Sequence, residues 1–198
     1  MLLCDNRSSD GVYPTVRAWA RGRNRDHKVR LLLDSCSNHT FVTPECARRM
    51  NFNIIGSSSL TISHFNNVPV TRSLEICEIP LKSLFGPFNH TISAYIMDVC
   101  PPIASSPIDF SAMPHLSELQ FADFYDSSQP KRVDILVGFD ALYSLLTDEM
   151  RRGPAGTPVA LGTQFGWALN GPYPLQPGNF SCAQSQVLLT QTVKQPSS

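Results

Sequence analysis

The segment Val29-Arg30-Leu31-Leu32-Leu33-Asp34-Ser35-Cys36-Ser37 sets a carboxylate directly behind an apolar run. An ionised acid at the end of a buried strand is costly to desolvate unless hydroxyls or backbone amides hydrogen-bond to it. Ser35 and Ser37 are the side chains at hand to do so. A carboxyl group held this way suits general acid or base chemistry, which needs a group able to exchange a proton near the working pH. Taken alone, an Asp-Ser pair behind a strand is far more often the cap of a turn, so its weight depends on the elements around it. Cys36 with His39 three residues on suggests a thiol nucleophile and its base, but a loop gives that pair no fixed activating geometry.

Those surrounding elements read mainly as β-strands. Val12 to Ala20, Val29 to Leu33, Ser59 to Ser63, Val68 to Leu81 and Thr91 to Val99 are rich in Val, Ile, Thr or aromatic residues and are bounded by Gly, Pro, Asn or Ser. Two short helices interrupt them. Thr43-Pro44-Glu45 supplies an N-cap candidate, a proline at the first helical position and an acid in the first turn, leading into Cys46 to Met50. A second helix is expected from Asp140, with Leu142, Leu145, Leu146 and Met150 at helical spacing. Pro101 to Pro130 reads as a long irregular connection, and the prolines after Gly171 read as a tail or linker. The patterning predicts a small, closed, mainly β barrel with Asp34 in a loop at the end of a buried strand.

A chain of 198 residues with 42% hydrophobic and 16% charged residues can bury one sizeable core, and no internal repeat divides it. Sixteen basic side chains balance sixteen acidic ones, so no long-range field gathers nucleic acid or an anionic membrane, and neither is an expected partner. The local excess Arg17, Arg21, Arg23, Arg25, Lys28 and Arg30 against Asp26 is read as a solvated hairpin tip. No apolar stretch has the length of a signal peptide core or a membrane span, which leads us to expect an intracellular, cytoplasmic protein with six reduced cysteines. Glycosylation triplets such as Asn89-His90-Thr91 then carry no meaning. No His-Glu-x-x-His, Gly-x-Ser-x-Gly or phosphate-binding glycine loop is present, so neither metal nor organic cofactor is expected.

Three ordered motifs together resemble one family. The Asp34-Ser35-Cys36-Ser37 segment, followed by Phe41-Val42, resembles the Asp-Thr/Ser-Gly-Ser/Thr loop of aspartic peptidases. Val133-Asp134-Ile135-Leu136-Val137-Gly138-Phe139-Asp140 looks like the strand and helix that pack beneath that loop in retropepsins. Thr163 to Pro172, preceded by Arg151-Arg152-Gly153, is similar to the segment closing the aspartic peptidase domain of BEL/Pao-type retrotransposon polyproteins. The resemblance runs from about Val12 to Pro172.

It implies a retropepsin-like domain over 12–172, with an extension at 1–11 and a Pro/Ser/Gln-rich tail or linker at 173–198 that suggests a piece of a longer chain. It implies Asp34 as the catalytic carboxylate, with Ser35, Cys36 and Ser37 supporting its loop, and Ile135, Leu136, Gly138 and Asp140 as structural residues beneath. His64, Phe65, Asn66 and Asn67 fall where retropepsins carry the mobile flap over the peptide; a plain surface hairpin reads equally well. Such peptidases need two carboxylates sharing one proton, and with one motif per chain the resemblance implies a homodimer meeting through the active site. The implied function is an aspartic endopeptidase acting on an extended peptide or its own polyprotein. Cys36 departs from the family, which has glycine there. An inactive retroelement fragment, kept as a dimerisation or peptide-binding module, is therefore the alternative.

Overall fold

The computed structural model describes residues 9–62, 69–98, 103, 108–124 and 131–174. The architecture is the expected one in outline, mainly β with two short helices. Its elements in chain order are β1 (Ser9–Val12), β2 (Thr15–Arg21), β3 (Asp26–Leu33), β4 (Phe41–Val42), α1 (Pro44–Met50), β5 (Asn53–Ile62), β6 (Val70–Lys82), β7 (Asn89–Ile96), β8 (Ile135–Val137), α2 (Phe139–Leu145), β9 (Leu146–Arg151), β10 (Val159–Thr163) and β11 (Gly166–Pro174). They form a seven-stranded sheet of order β2-β3-β8-β4-β7-β6-β5 and a four-stranded antiparallel sheet of order β1-β11-β10-β9.

The larger sheet returns on itself. The long strand β6 pairs β7 along one edge, and along the other it pairs β5 and then β2, at Trp19↔Lys82 and Ala20↔Leu81. This last pairing closes a ring of six strands, to which β5 adds as an outer partner of β6. Side chains alternate across the wall, as a pleated strand requires. Val29, Leu31 and Leu33 of β3 enter the main core with Val16, Ala18 and Ala20 of β2 and Ile79 and Leu81 of β6. Leu32 instead joins Phe41, Leu136, Ile103 and Val133 in a second cluster on the opposite face. β8 is buried on both faces, which is why it reads as an uninterrupted Ile-Leu-Val run. The smaller sheet divides likewise, giving Ala168, with Phe165 of the β10–β11 turn, to the main core and Ala160, Leu169 and Tyr173 to a third cluster.

α1 forms as its local signals dictate. The Thr43 hydroxyl accepts from the Cys46 amide at 3.2 Å, Pro44 takes the first helical position, and Asn51 ends the helix in the left-handed region at φ 50°. The second helix departs from expectation. It ends at Leu145, and Leu146 to Arg151 form β9 rather than a helical extension to Met150. Leu146 and Met150 are drawn into register with Thr163 and Leu161 of β10, and strand pairing overrides their helical spacing.

Three further differences have physical causes. The strand expected over Val12 to Ala20 is two strands, broken before β2 at Pro14, whose carbonyl accepts from the Leu33 amide at 2.9 Å. β11 continues past Gly171 to Pro174, because residues 171–174 find a partner in β1. The irregular connection contains two 3₁₀ turns, Phe110–Ala112 and Pro114–Leu116, and it buries Ile108, Met113, Leu116 and Ala122. It is thus part of the core's cover. Among the described residues, no helix is long and apolar enough to cross a membrane. Cys36 is exposed and Cys46 and Cys77 are buried, all three as free thiols.

Candidate active site

The loop bearing Asp34 is framed by chain segments that lie far apart in sequence. β3 and β4 bound the loop, and β8 enters between them, parallel to β3 and antiparallel to β4. The ladder runs on into the loop itself. The Asp34 amide donates to the Val137 carbonyl at 2.9 Å, and the Phe139 amide donates to the Ser37 carbonyl at 2.7 Å. Gly138 lies against the backbone of His39, so closely that a Cβ there would overlap the His39 carbonyl. The glycine is therefore needed for contact between this strand end and the Asp34 loop.

Thr40 locks the arrangement from inside. Its buried hydroxyl accepts from the Gly138 amide at 3.1 Å and donates to Asp140 Oδ1 at 2.6 Å, while the Thr40 amide donates to Asp140 Oδ2 at 3.1 Å. His39 Nδ1 stands 3.7 Å from the same Oδ2. Ile135, Leu136, Gly138 and Asp140 thus lie beneath the loop. Thr40 was not singled out from the sequence; a β-branched hydroxyl next to the Phe41-Val42 pair was its only signal.

The carboxylate of Asp34 is half-buried at the strand end, and Oδ1 accepts from the Cys36 amide at 3.0 Å. The Ser37 amide donates to the Asp34 carbonyl at 3.3 Å and tightens the turn. The two serines do not serve the carboxylate as expected. Ser37 donates its hydroxyl to the His39 carbonyl at 2.7 Å, and Ser35 points to solvent. The carboxylate is held by one backbone amide at Oδ1, and among the described residues no hydrogen bond reaches Oδ2. Among the described residues no hydrogen bond or ion pair ties Asp34 to a second acid, and none links Cys36 to His39. Cys36 lies outside the left-handed region, which among the described non-glycine residues holds Asn51 and Glu118. Its backbone therefore carries none of the strain a side chain meets at positive φ, and its thiol is exposed.

One wall of the site is apolar. Tyr95 of β7 lies edge-on to His39 at 5.3 Å and tilted against Phe41 at 6.0 Å. Leu60 of β5 and Leu74 of β6 pack with Tyr95 on the cluster of Leu32, Phe41 and Leu136. The β5–β6 hairpin therefore leans on the face from which Asp34 emerges, and its outer run is largely exposed. The predicted flap residues His64, Phe65, Asn66 and Asn67 lie outside the described residues. On the helix side, Phe139 and Tyr143 stack edge to face at 5.3 Å with both rings exposed.

A buried ion pair stiffens β3 upstream of Asp34. Arg30 was read with the solvated basic stretch, yet it is 6% exposed. Its Nε donates to Asp123 Oδ2 at 2.6 Å, Thr15 donates to the same oxygen at 2.7 Å, and Arg30 also donates to the Lys131 carbonyl at 2.8 Å. The Arg30 amide donates to Asp134 Oδ2 at 3.0 Å, and Asp134 Oδ1 accepts from Arg49 of α1 at 2.9 Å. These bonds pin the cover segment and the approach to β8 onto β3. Burial pushes the nearby Cys46 thiol up to about 12, with the Asp134 charge adding to it, and burial raises Cys77 to about 12 as well.

The sequence matches no family model and no curated protein. Among solved structures, the chain is similar to the crystal structure of the retroviral protease-like domain of Ddi1 from Leishmania major, with a TM-score of 0.38 and 9% identity over 81% of this chain and 95% of that chain.

Proposed function

We propose that this chain is one protomer of an aspartic-type endopeptidase in which Asp34 and its mate from a second copy form the catalytic dyad. One observation carries the reading. Asp34 ends a buried strand in a loop clamped by β8, with the Cys36 amide holding one carboxylate oxygen and no hydrogen bond to the other among the described residues. Two such carboxylates on a two-fold axis cannot both ionise. One takes a proton from a water as that water attacks the scissile carbonyl, and the other, protonated, hydrogen-bonds the carbonyl oxygen. The packing of Leu60 and Leu74 of the β5–β6 hairpin on the cluster of Leu32, Phe41 and Leu136 supports this reading, since it keeps the hairpin beside the strand that ends at Asp34. The substrate is an extended peptide. On the residues Thr163 to Pro172 we assign the domain to a BEL/Pao-type retrotransposon polyprotein, whose own junctions are then its substrates.

The exposed Cys36 side chain favours a second reading, in which the fold persists as an inactive dimerisation or peptide-binding module. Incubation of the purified chain with a mixed peptide library at acidic and neutral pH separates the two. A peptidase cleaves with a specific activity that falls on dilution through the dimer dissociation constant, and Asp34→Asn abolishes cleavage with the fold intact. Wild type and Cys36→Gly both inert, as dimers verified by light scattering, would leave the module reading standing.

A further inference from the structure

Arg17 of β2 and Lys28 and Arg30 of β3 line a recess of about 310 Å3 together with Val29, Asp123, Phe124, Lys131, Arg132 and Asp134. Five cations face two carboxylates there, and both carboxylates are already engaged. Asp123 is held by Arg30 and Thr15, and Asp134 by Arg49. Arg132 is paired with Glu45. Arg17 and Lys28 have no carboxylate partner among the described residues. Instead the Arg17 guanidinium lies 5.0 Å above the Phe124 ring, and the Lys28 ammonium lies 5.2 Å from the Trp19 ring.

The strand register sharpens the charge problem. Arg17 is directly opposite Arg30, and like charges facing each other across a sheet are unfavourable. The Asp123 carboxylate neutralises Arg30 and leaves Arg17 uncompensated. The Phe124 ring that Arg17 lies over lines the recess, whereas the Trp19 ring beside Lys28 lies outside its lining, so each cation has an aromatic contact in place of a carboxylate and its charge is uncompensated. A volume of this size is at the lower end of small-molecule sites. A tetrahedral dianion with three or more acceptor oxygens meets several converging donors at once, which a single carboxylate cannot do.

We propose that this recess binds a small phosphate-bearing anion, either free phosphate or the monophosphate of a nucleoside, with Arg17 and Lys28 as its principal donors. The site is separate from the Asp34 loop. Arg30 precedes Asp34 by four residues on the same strand, a distance of about 13 Å at 3.3 Å per residue. A bound anion would join β2 and β3 to the segment around Phe124 and Lys131.

The experiment is a titration of the whole chain at fixed ionic strength with inorganic phosphate and with adenosine monophosphate, followed by backbone amide shifts. Saturable shifts at residues 17, 28–30 and 131 are expected, with a dissociation constant on the order of 1 mM or tighter. Comparable affinities for the two would identify free phosphate as the ligand, and clearly tighter binding of the nucleotide would place its ring in the recess as well. Arg17→Gln with Lys28→Gln should weaken binding at least tenfold, and Lys28→Glu alone, at an exposed position, should do so without touching the buried network. Arg151→Gln, which removes a cation stacked on Trp167 in the other sheet, should change nothing. The proposal is overturned by the absence of saturable shifts with either anion. It is equally overturned if Lys28→Glu, folded as judged by circular dichroism, binds as wild type does.

Discussion

Thr40→Val removes one hydroxyl and keeps the shape of the side chain, so its effect measures how firmly the Asp34 loop is locked to the strand beneath it. Thr40 is fully buried, and its oxygen is the acceptor for the buried Gly138 amide at 3.1 Å and the donor to Asp140 at 2.6 Å. Leaving the Gly138 amide without an acceptor costs about 1–3 kcal/mol. Losing the bond to Asp140 adds about 0.5–1.5 kcal/mol, the lower range being apt because water can replace the hydroxyl at a carboxylate that is 37% exposed. The sum is about 2–4 kcal/mol, since the two bonds meet at one atom and are not strictly additive. At roughly 2–4 °C per kcal/mol for a chain of this size, the midpoint of thermal unfolding should fall by roughly 4–16 °C. Thr40→Ser keeps the hydroxyl and loses one buried methyl, so about 1 kcal/mol is expected. Urea unfolding followed by circular dichroism measures both. A Thr40→Val variant within about 0.5 kcal/mol of wild type, or one no worse than Thr40→Ser, would refute the account of Thr40 as the lock.

Asp123→Asn should destabilise by about 3–5 kcal/mol, because it strands the Arg30 charge in the interior, whereas Arg30→Met combined with Asp123→Leu should be markedly less harmful than Asp123→Asn alone. The Cys46 and Cys77 thiols are held protonated up to about 12 in the folded state, against an ordinary 9.0. Between those values the unfolded chain has released protons that the folded chain retains, so stability falls as pH rises, by up to about 1.4 kcal/mol per pH unit for each thiol. Cys46→Ala with Cys77→Ala should flatten that alkaline slope in urea titrations from pH 8 to 10.5, and an unchanged slope would contradict the assignment. Cys36→Gly should lower stability by about 0.5–1 kcal/mol through the freer unfolded chain, because Cys36 carries no backbone strain for glycine to relieve; a more stable variant would show strain after all.

What the sequence makes legible here is what neighbours decide. α1 begins at Thr43-Pro44 as read, because a cap and a proline act within one turn. Asp34 ends its strand as read, because Leu31 to Leu33 and the polar run after them are adjacent. The first two misreadings depend on distant partners, and the others on the exact turn of a loop or on missing burial. Leu146 and Met150 keep helical spacing and become strand because β10 arrives to pair them. Arg30 looks like one more exposed arginine until Asp123, 93 positions away, closes on it. Ser37 was assigned to the carboxylate by proximity, but the folded loop turns its hydroxyl to His39 and brings the Cys36 amide to Asp34 instead. At Asn53 to Ser58, where both faces of β5 are exposed, no alternation of burial marked the strand at all.

The threading of β8 between β3 and β4 also sets an order of events. Arg30 and Asp134 are 104 positions apart, and bringing such ends together costs about 4 kcal/mol of loop entropy before any contact offsets it. Until then β3 and β4 face an empty slot, and the Asp34 loop has neither the Val137 carbonyl nor the Phe139 amide to shape it. A chain emerging from a ribosome would hold residues 12–98 and still have no formed site. The loop can take shape only after Gly138 has been synthesised and β8 has docked, so its geometry depends on a long-range closure rather than on the residues that flank it.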